Sequence, residues 1–201
     1  MSMQVAHSPH ESMAQIMAQM EKDRLDGLAA SAAGQKGLPP VHLWNPPLCG
    51  DIGLKITRDG NWHYQGSAIA RPALVKLFAS VLRHDPEGHF LVTPFEKVPL
   101  EVEDAPFLAV DMQKIDDHIV FRTNLDDEVR VDDTRPLRFE MGEAGGLKPY
   151  VLVRGRLWAL LTRALAYDLM EAAEIRQVNG RAVTGVSSGE HFFVMEDGGA
   201  P

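Results

Sequence analysis

Apolar and polar residues alternate over short stretches along most of the chain beyond residue 41, and such alternation is typical of β-strands. Residues 52–56 alternate in this way, and Asp59 and Gly60 favour a tight hairpin before a return strand at 62–64. Further short apolar runs of this kind lie at 90–92, 98–102, 107–112, 119–121, 128–131, 150–153 and 192–194. The pattern therefore predicts a strand-rich α+β protein.

Two stretches have the 3.6-residue period of an amphipathic helix instead. Pro72 suits the first turn of a helix whose apolar face lies within 74–82, and we expect a turn at 85–88 to end it. The apolar residues of 157–169 predict a second helix, the longest of the body, which should end near Arg176.

The N-terminal region predicts an additional helix. Ser8 can cap it, Pro9 suits its first position, and four apolar residues within 13–20 form one stripe. A stripe this short needs a surface to dock on, either this chain, a second copy of it or another protein. Glycines and prolines of 34–40 mark a linker, so residues 1–40 are expected to precede the folded body.

The body divides into two halves, 41–106 and 107–201, that contain the same succession of strand, helix and aromatic strand. The matched strands are 62–64 and 88–92 in the first half, and 149–151 and 189–194 in the second. Two copies favour duplication into a paired domain rather than a solenoid. Under this interpretation the seam between the halves is the expected place for a pocket.

Charge and composition narrow the class of protein. The 201 residues include 20 Lys and Arg against 28 Asp and Glu, a formal net charge of −8, and the basic residues are scattered. Nucleic-acid binding is therefore not expected. A single cysteine permits no internal disulfide, and neither a secretory signal nor an apolar stretch long enough to cross a bilayer is evident. We expect a cytoplasmic protein that does not insert into membranes.

Established catalytic signatures are missing from the sequence. It has no dinucleotide or P-loop glycine motif, no zinc-protease helix motif and no serine-hydrolase elbow. Of the eight histidines, His63, His84, His89, His118 and His191 lie apart in sequence and form no close pair at helical ligand spacing, so neither a metal nor another cofactor is expected. Cys49, followed by Gly50, is the one candidate for a reactive thiol, but no partner base can be named, so a small buried residue at the entrance of a strand is the favoured interpretation.

Several polar residues stand beside apolar strands or at the start of a helix, where a ligand could meet them. Arginine binds phosphate or carboxylate through paired hydrogen bonds, and lysine adds a point charge. Ordinary ion pairing with the abundant acidic residues is the alternative. The candidate ligand-binding residues are Arg71, Thr93, Glu96, Lys97, Asp104, Thr123, Asn124 and Arg154.

The body resembles the bacterial domain-of-unknown-function family DUF1285. The resemblance rests on residues 44–52, 59–62, 91–94, 96–97, 102–111, 123–124, 149–151, 153–154, 185–186 and 192–193. It implies a duplicated α+β core, a second half loosely like pleckstrin-homology folds, and a nucleotide-like ligand between the halves with a part in signalling. Ser187 and Glu190 stand where members tend to have an aromatic residue and a glycine, which weakens a stacking role for that loop.

These observations lead to a function hypothesis with two alternatives. The leading hypothesis is a non-catalytic sensor or adaptor that binds a small anionic, nucleotide-like ligand, with Arg154 and Lys97 meeting its charge. One alternative is an enzyme that uses Cys49. The other is a protein–protein interaction module, or a homo-oligomer, assembled through the N-terminal helix.

Overall fold

The computed structural model describes residues 38–142 and 145–195, and they form two compact units. The first unit ends at Glu103 and the second begins at Asp104. Within the described residues, each unit is strand-rich and has one α-helix, as the sequence pattern predicts. The N-terminal helix expected within residues 1–40 lies almost wholly outside the described residues.

The first unit is a six-stranded sheet with one helix. After a 3₁₀ turn at Val41–Leu43, its elements are β1 (Leu54–Ile56), β2 (Trp62–Tyr64), β3 (Ser67–Ala68), α1 (Pro72–Ser80), β4 (Leu82–Asp85), β5 (Gly88–Val92) and β6 (Lys97–Val102). The strand order is β3-β2-β1-β6-β5-β4, antiparallel except where β1 and β6 pair in parallel. Phe78 of α1 packs on Trp62, with 6.1 Å between their rings, and both side chains are buried.

The second unit contains a six-stranded sheet, a helix and a smaller sheet. The large sheet comprises β7 (Phe107–Ile115), β8 (His118–Thr123), β9 (Glu128–Arg130), β10 (Leu137–Met141), β11 (Leu147–Arg154) and β12 (Leu157–Leu161). Then follow α2 (Arg163–Glu171), β13 (Glu174–Val178), β14 (Arg181–Ser188) and β15 (His191–Val194). Phe107, Phe121, Val151, Ala159 and Leu169 lie fully inside the core of this unit.

The two large sheets have the same topology. The order in the second is β10-β11-β12-β7-β8-β9, so in both units a first antiparallel meander joins a second through parallel pairing of the first strand with the sixth. This shared order fits duplication of one sheet. The helices differ in place, because α1 connects the two meanders whereas α2 follows the second.

The segments matched by sequence are therefore not equivalent in the fold. Residues 88–92 form the fifth strand of the first sheet, whereas the last strand, His191–Val194, belongs to the separate sheet β13-β14-β15. Aromatic composition made these two strands look alike, but their strand partners differ.

The predicted long helix from Leu157 to Arg176 is also wrong. Leu157–Leu161 is strand β12, between β11 and β7, and only Arg163–Glu171 is helical. Gly155, with φ of 53°, lies in the turn that pairs β12 with β11, so this apolar run enters the centre of the sheet. In the first unit, α1 ends at Ser80, and the turn at 85–88 joins β4 to β5 rather than ending the helix.

The small sheet is fixed to the large one by a buried hydroxyl. Ser188 Oγ accepts a hydrogen bond from the Ile119 amide at 2.9 Å and donates one to the Val131 carbonyl at 2.7 Å.

None of the helices within 38–142 and 145–195 is long and apolar enough to cross a membrane.

Candidate functional site

Thr93 and Thr123, both predicted ligand residues, are buried and build tight turns. The Thr93 hydroxyl accepts hydrogen bonds from the amides of Phe95 and Glu96, at 3.2 and 3.1 Å. The Thr123 hydroxyl accepts hydrogen bonds from the amides of Leu125 and Asp127 in the same manner, at 3.2 and 3.0 Å. These hydroxyls close the connections β5–β6 and β8–β9, which is a structural role.

Lys97 belongs to a charged group in the first unit that we name the Lys97 cluster: Arg83, Asp85, Phe90 and Lys97. Lys97 Nζ lies 2.5 Å from Asp85 Oδ2 and 3.9 Å from the centre of the Phe90 ring. Arg83 approaches both oxygens of the same carboxylate at 2.8 Å. One carboxylate thus faces two cations, in side chains that are only 17–18% exposed.

The Lys97 cluster also holds the chain that precedes the sheet. Arg83 Nη1 donates to the carbonyls of Val41 and Trp44 at 2.8 and 2.7 Å. Burial opposes ionisation of Asp85, but the hydrogen bonds from Arg83 and Lys97 outweigh it and lower the pKa of Asp85 below its usual value. The geometry and the pKa both indicate a structural ion cluster.

Arg154 forms a comparable group in the second unit, the Arg154 cluster: Phe107, Thr123, Asp127 and Arg154. Its guanidinium lies over the Phe107 ring at 4.9 Å, and Nη1 donates to Asp127 Oδ1 at 3.2 Å. The other Asp127 oxygen accepts from the Thr123 hydroxyl at 3.4 Å. Burial lowers the pKa of Arg154, although Asp127 opposes that shift.

Asn124 adjoins the Arg154 cluster and completes the end of a strand. The backbone N–H of Asn124 donates a hydrogen bond to the Leu108 carbonyl at 2.8 Å, and the side-chain Oδ1 of Asn124 accepts one from the backbone N–H of Leu108 at 3.1 Å. The structure thus brings Thr123, Asn124 and Arg154 together, as a bonded corner of β7, β8 and β11.

Asp104 leads to a different surface of the second unit, which we name the Arg138 face: Asp104, Arg138, Lys148, Tyr150 and Trp158. Asp104, whose side chain is 6% exposed, accepts hydrogen bonds from Lys148 Nζ and, at 2.8 Å, from the Tyr150 hydroxyl. The Arg138 guanidinium lies 4.8 Å from the Tyr150 ring centre and 4.5 Å from that of Trp158. Arg138 is nevertheless 43% exposed, and it pairs at 3.1 Å with the exposed carboxylate of Glu140.

Strand pairing explains how the Arg138 face is assembled. Arg138 of β10 lies directly opposite Tyr150 of β11, and Trp158 of β12 lies opposite Leu152. Residues two apart on a strand share a face, and Tyr150 and Leu152 are two apart, so Arg138, Tyr150 and Trp158 lie on one face of the three strands, with Trp158 diagonal to Tyr150. Burial lowers the pKa of Lys148, but its hydrogen bonds to Asp104 and Tyr150 reverse the effect and raise the pKa overall.

The two remaining predicted residues lie in the first unit. Arg71 is exposed and immediately precedes α1, where its carbonyl accepts hydrogen bonds from Leu74 and Val75. Glu96 is half-buried in the Thr93 turn, and its carbonyl accepts the Thr93 amide at 2.9 Å. The predicted ligand-binding residues therefore fall into several groups. Thr93 and Glu96 belong to the Thr93 turn, Lys97 to the Lys97 cluster, and Thr123 and Arg154, with Asn124 beside them, to the Arg154 cluster. Asp104 belongs to the Arg138 face, and Arg71 precedes α1.

Among the described residues, no three histidine, cysteine or acidic side chains form a group that could hold a metal ion. His84 and His89 face each other across β4 and β5, with stacked rings 4.1 Å apart. Burial and, secondly, the neighbouring His84 lower the pKa of His89 from 6.5 to about 4. Cys49 is half-buried, and its amide donates to the Lys97 carbonyl at 2.8 Å.

Sequence reasoning missed Arg138 and Trp158. Arg138 and Glu140 alternate with buried Leu137 and Phe139, so the period-2 pattern of β10 carried the signal for a polar face. The place of Trp158 on this face was missed because its segment, Leu157–Leu161, is continuously apolar and was predicted to be helical.

The fold and the site together define a mainly β protein of two units, in which one sheet topology is repeated. Sequence models of protein families show which family this chain belongs to. The N-terminal domain of the domain of unknown function DUF1285 matches residues 39–105, and the C-terminal domain matches residues 106–195. The chain therefore belongs to the DUF1285 family, as the resemblance in its sequence predicted.

Two solved structures of this family are similar to the chain. A DUF1285 family protein from Silicibacter pomeroyi DSS-3 shares 43% identity over 84% of this chain and 93% of its own, with a TM-score of 0.74. A DUF1285 family protein from Shewanella baltica OS155 shares 30% identity over 59% of this chain and 91% of its own, with a TM-score of 0.50. No curated protein matches the chain.

Proposed function

We propose that this protein is a non-catalytic, cytoplasmic sensor or adaptor that binds a small planar anion, nucleotide-like in character, at the Arg138 face. The observation that carries the proposal is the half-exposed Arg138 guanidinium, held over two aromatic rings. A guanidinium fixed in this way can stack with a flat ligand and bind its anionic group through paired hydrogen bonds.

The neighbours of Arg138 suit such a ligand. Trp158 is half-buried and offers aromatic surface next to the guanidinium. Lys148 is 31% exposed, but the Asp104 carboxylate already balances its charge, so Arg138 is the cation of this face that meets the ligand. The carboxylate that the ligand would displace, Glu140, is exposed and bound to Arg138 through a weak surface pair.

In this proposal the ligand's negative charge is bound by Arg138, and not by Lys97 and Arg154, which the sequence had suggested. Lys97 and Arg154 each have a carboxylate partner and an aromatic ring within their own unit, so an anion would have to compete with Asp85 or Asp127. A pleckstrin-homology-like second half and a part in signalling remain finer predictions within the same proposal. A ligand held by Lys97 and Arg154, as the sequence suggested, is the alternative to the Arg138 face.

The test is thermal unfolding and calorimetry with adenine and guanine mononucleotides, cyclic nucleotides, an aromatic carboxylate and inorganic phosphate. A ligand present at about a hundred times its dissociation constant should add roughly 2.7 kcal/mol of stability. Arg138→Gln should weaken binding at least tenfold, since it removes the charge and the stacking plane. Arg130→Gln, which changes an exposed arginine on another strand of the same sheet, is the matched control.

Three other outcomes carry different meanings. Absence of any shift, or a shift that Arg138→Gln leaves intact, contradicts the proposed site. A shift lost in Lys97→Gln and Arg154→Gln but kept in Arg138→Gln supports the ligand residues suggested by the sequence instead. Inorganic phosphate acting as well as the nucleotides would show that the planar group contributes nothing.

A further inference from the structure

Strand β13 is an edge strand with an unusual pattern of exposure. It pairs with β14 on one side only, and all five of its residues, Glu174 to Val178, are exposed. Ile175 is 74% exposed, more than any other large apolar side chain among the described residues. The outer edge of such a strand presents unpaired backbone N–H and C=O groups to any chain that can align with it.

Charged residues usually protect an edge by repulsion, but those of β13 have opposite signs. Glu174 and Arg176 lie two residues apart on one face of the strand and pair with each other at 2.8 Å, while Ile175 points to the other face. A second β13 approaching antiparallel can therefore exchange these ion pairs for pairs across the new contact.

We propose that β13 is a self-complementary docking strand, which pairs antiparallel with β13 of a second copy about a two-fold axis through Ile175. In this register the two Ile175 side chains face each other, and Glu174 of each copy faces Arg176 of the other. The two three-stranded sheets become one sheet of six strands. An isologous contact of this kind closes on itself, so it forms a dimer and not a fibre.

Other registers are less favourable. An axis through Arg176 sets two arginines opposite each other, and an axis through Glu174 sets two glutamates opposite each other. Like charges directly opposite destabilise a strand pair, whereas opposite charges and apolar pairs stabilise it. The contact is small, so association should be weak and visible only at high protein concentration. This proposal is independent of ligand binding at the Arg138 face.

Sedimentation velocity of the full chain over roughly 5–500 μM tests association, and charge reversal tests the register. Glu174→Arg places two arginines on that face of the strand, and Arg176→Glu places two glutamates there. Each variant alone should repel its own copy and dimerise at least tenfold more weakly than the natural protein. An equimolar mixture of the two should restore association, as a heterodimer that native mass spectrometry separates by mass.

The mixture also controls for damage within each chain, because Glu174 accepts a hydrogen bond from Ser187 and Arg176 stacks on Phe192. Thermal unfolding verifies that both variants fold. Ile175→Lys should abolish association in every combination. A natural protein that stays monomeric up to 500 μM, single variants that still dimerise, or a mixture that does not recover would each overturn the proposal.

Discussion

The Lys97 cluster and the Arg138 face both place a cation over an aromatic ring beside a carboxylate, yet they differ in what surrounds the cation. Lys97 and Arg83 share Asp85 in a group that is nearly closed to water, and Arg83 also bonds two backbone carbonyls. Arg138 is 43% exposed, and its carboxylate partner is a surface residue. The first arrangement stabilises the fold, while the second leaves a charged plane available to a ligand.

The comparison shows that closeness to a strand in sequence does not distinguish a binding cation from a structural one. What distinguishes them is whether the charge is already neutralised at a buried site. A buried cation that loses its partner is costly, whereas an exposed cation that loses its partner is solvated by water. Removal of the partner carboxylate is therefore the most direct test.

Asp85→Ala should give the largest effect, a loss of about 2–3 kcal/mol in the free energy of unfolding, because Arg83 and Lys97 lose the carboxylate that they share. Glu140→Ala, which removes the partner of Arg138, should cost less than about 0.5 kcal/mol. Urea denaturation of both variants measures the difference. Equal losses in the two would contradict the distinction drawn between the two sites.

The stacked histidine pair beside the Lys97 cluster should make stability depend on pH. Because the pKa of His89 is about 4 in the folded protein and 6.5 when exposed, the unfolded chain binds an extra proton between these values. Stability should therefore fall by about 1–2 kcal/mol as the pH decreases from 6.5 to 4, after allowance for partial exposure.

His89→Gln should flatten that part of the curve, measured by urea denaturation at a series of pH values. The lowered pKa of Asp85 acts in a lower window, because stability from that group is lost only as the pH falls below about 3.8. If the free energy of unfolding of His89→Gln still decreased as steeply between pH 6.5 and 4, other groups would be responsible for the decrease.

Arg154→Met should have a smaller effect than Asp85→Ala, about 1 kcal/mol, since methionine keeps apolar contact with Phe107 but loses the ion pair with Asp127. The same change at Arg122, which is 47% exposed, should be nearly neutral. Denaturation and the ligand assay should be run on both variants. If Arg154→Met abolished ligand binding without any loss of stability, Arg154 would belong with Arg138 and not with Lys97.

Much of the sheet structure could be predicted from the sequence, because alternation reports which face of a strand is buried. The error at Leu157–Leu161 has a physical cause. Leu157, Trp158, Ala159, Leu160 and Leu161 are all apolar, so this central strand shows no alternation, and only Gly155 signalled a turn before it.

The candidate site was less predictable, because its contacts join distant parts of the chain. Asp104 and Lys148 meet although 44 residues separate them in the sequence, and nothing local to either residue indicates the other. The Thr93 and Thr123 turns are the opposite case. Each hydroxyl bonds amides two to four residues ahead, so a local motif accounts for residues that the sequence had suggested as ligand contacts.

The parallel pairing of the first and sixth strands has a consequence for how the chain folds. In each large sheet, β1 with β6 and β7 with β12, the two strands are separated by roughly 50 residues, so neither sheet can close until its last strand is present. During synthesis the first sheet must wait for Val102 to leave the ribosome, and the second for Leu161. We therefore expect each unit to fold slowly, in a late cooperative step, with its central strands exposed to chaperones until then.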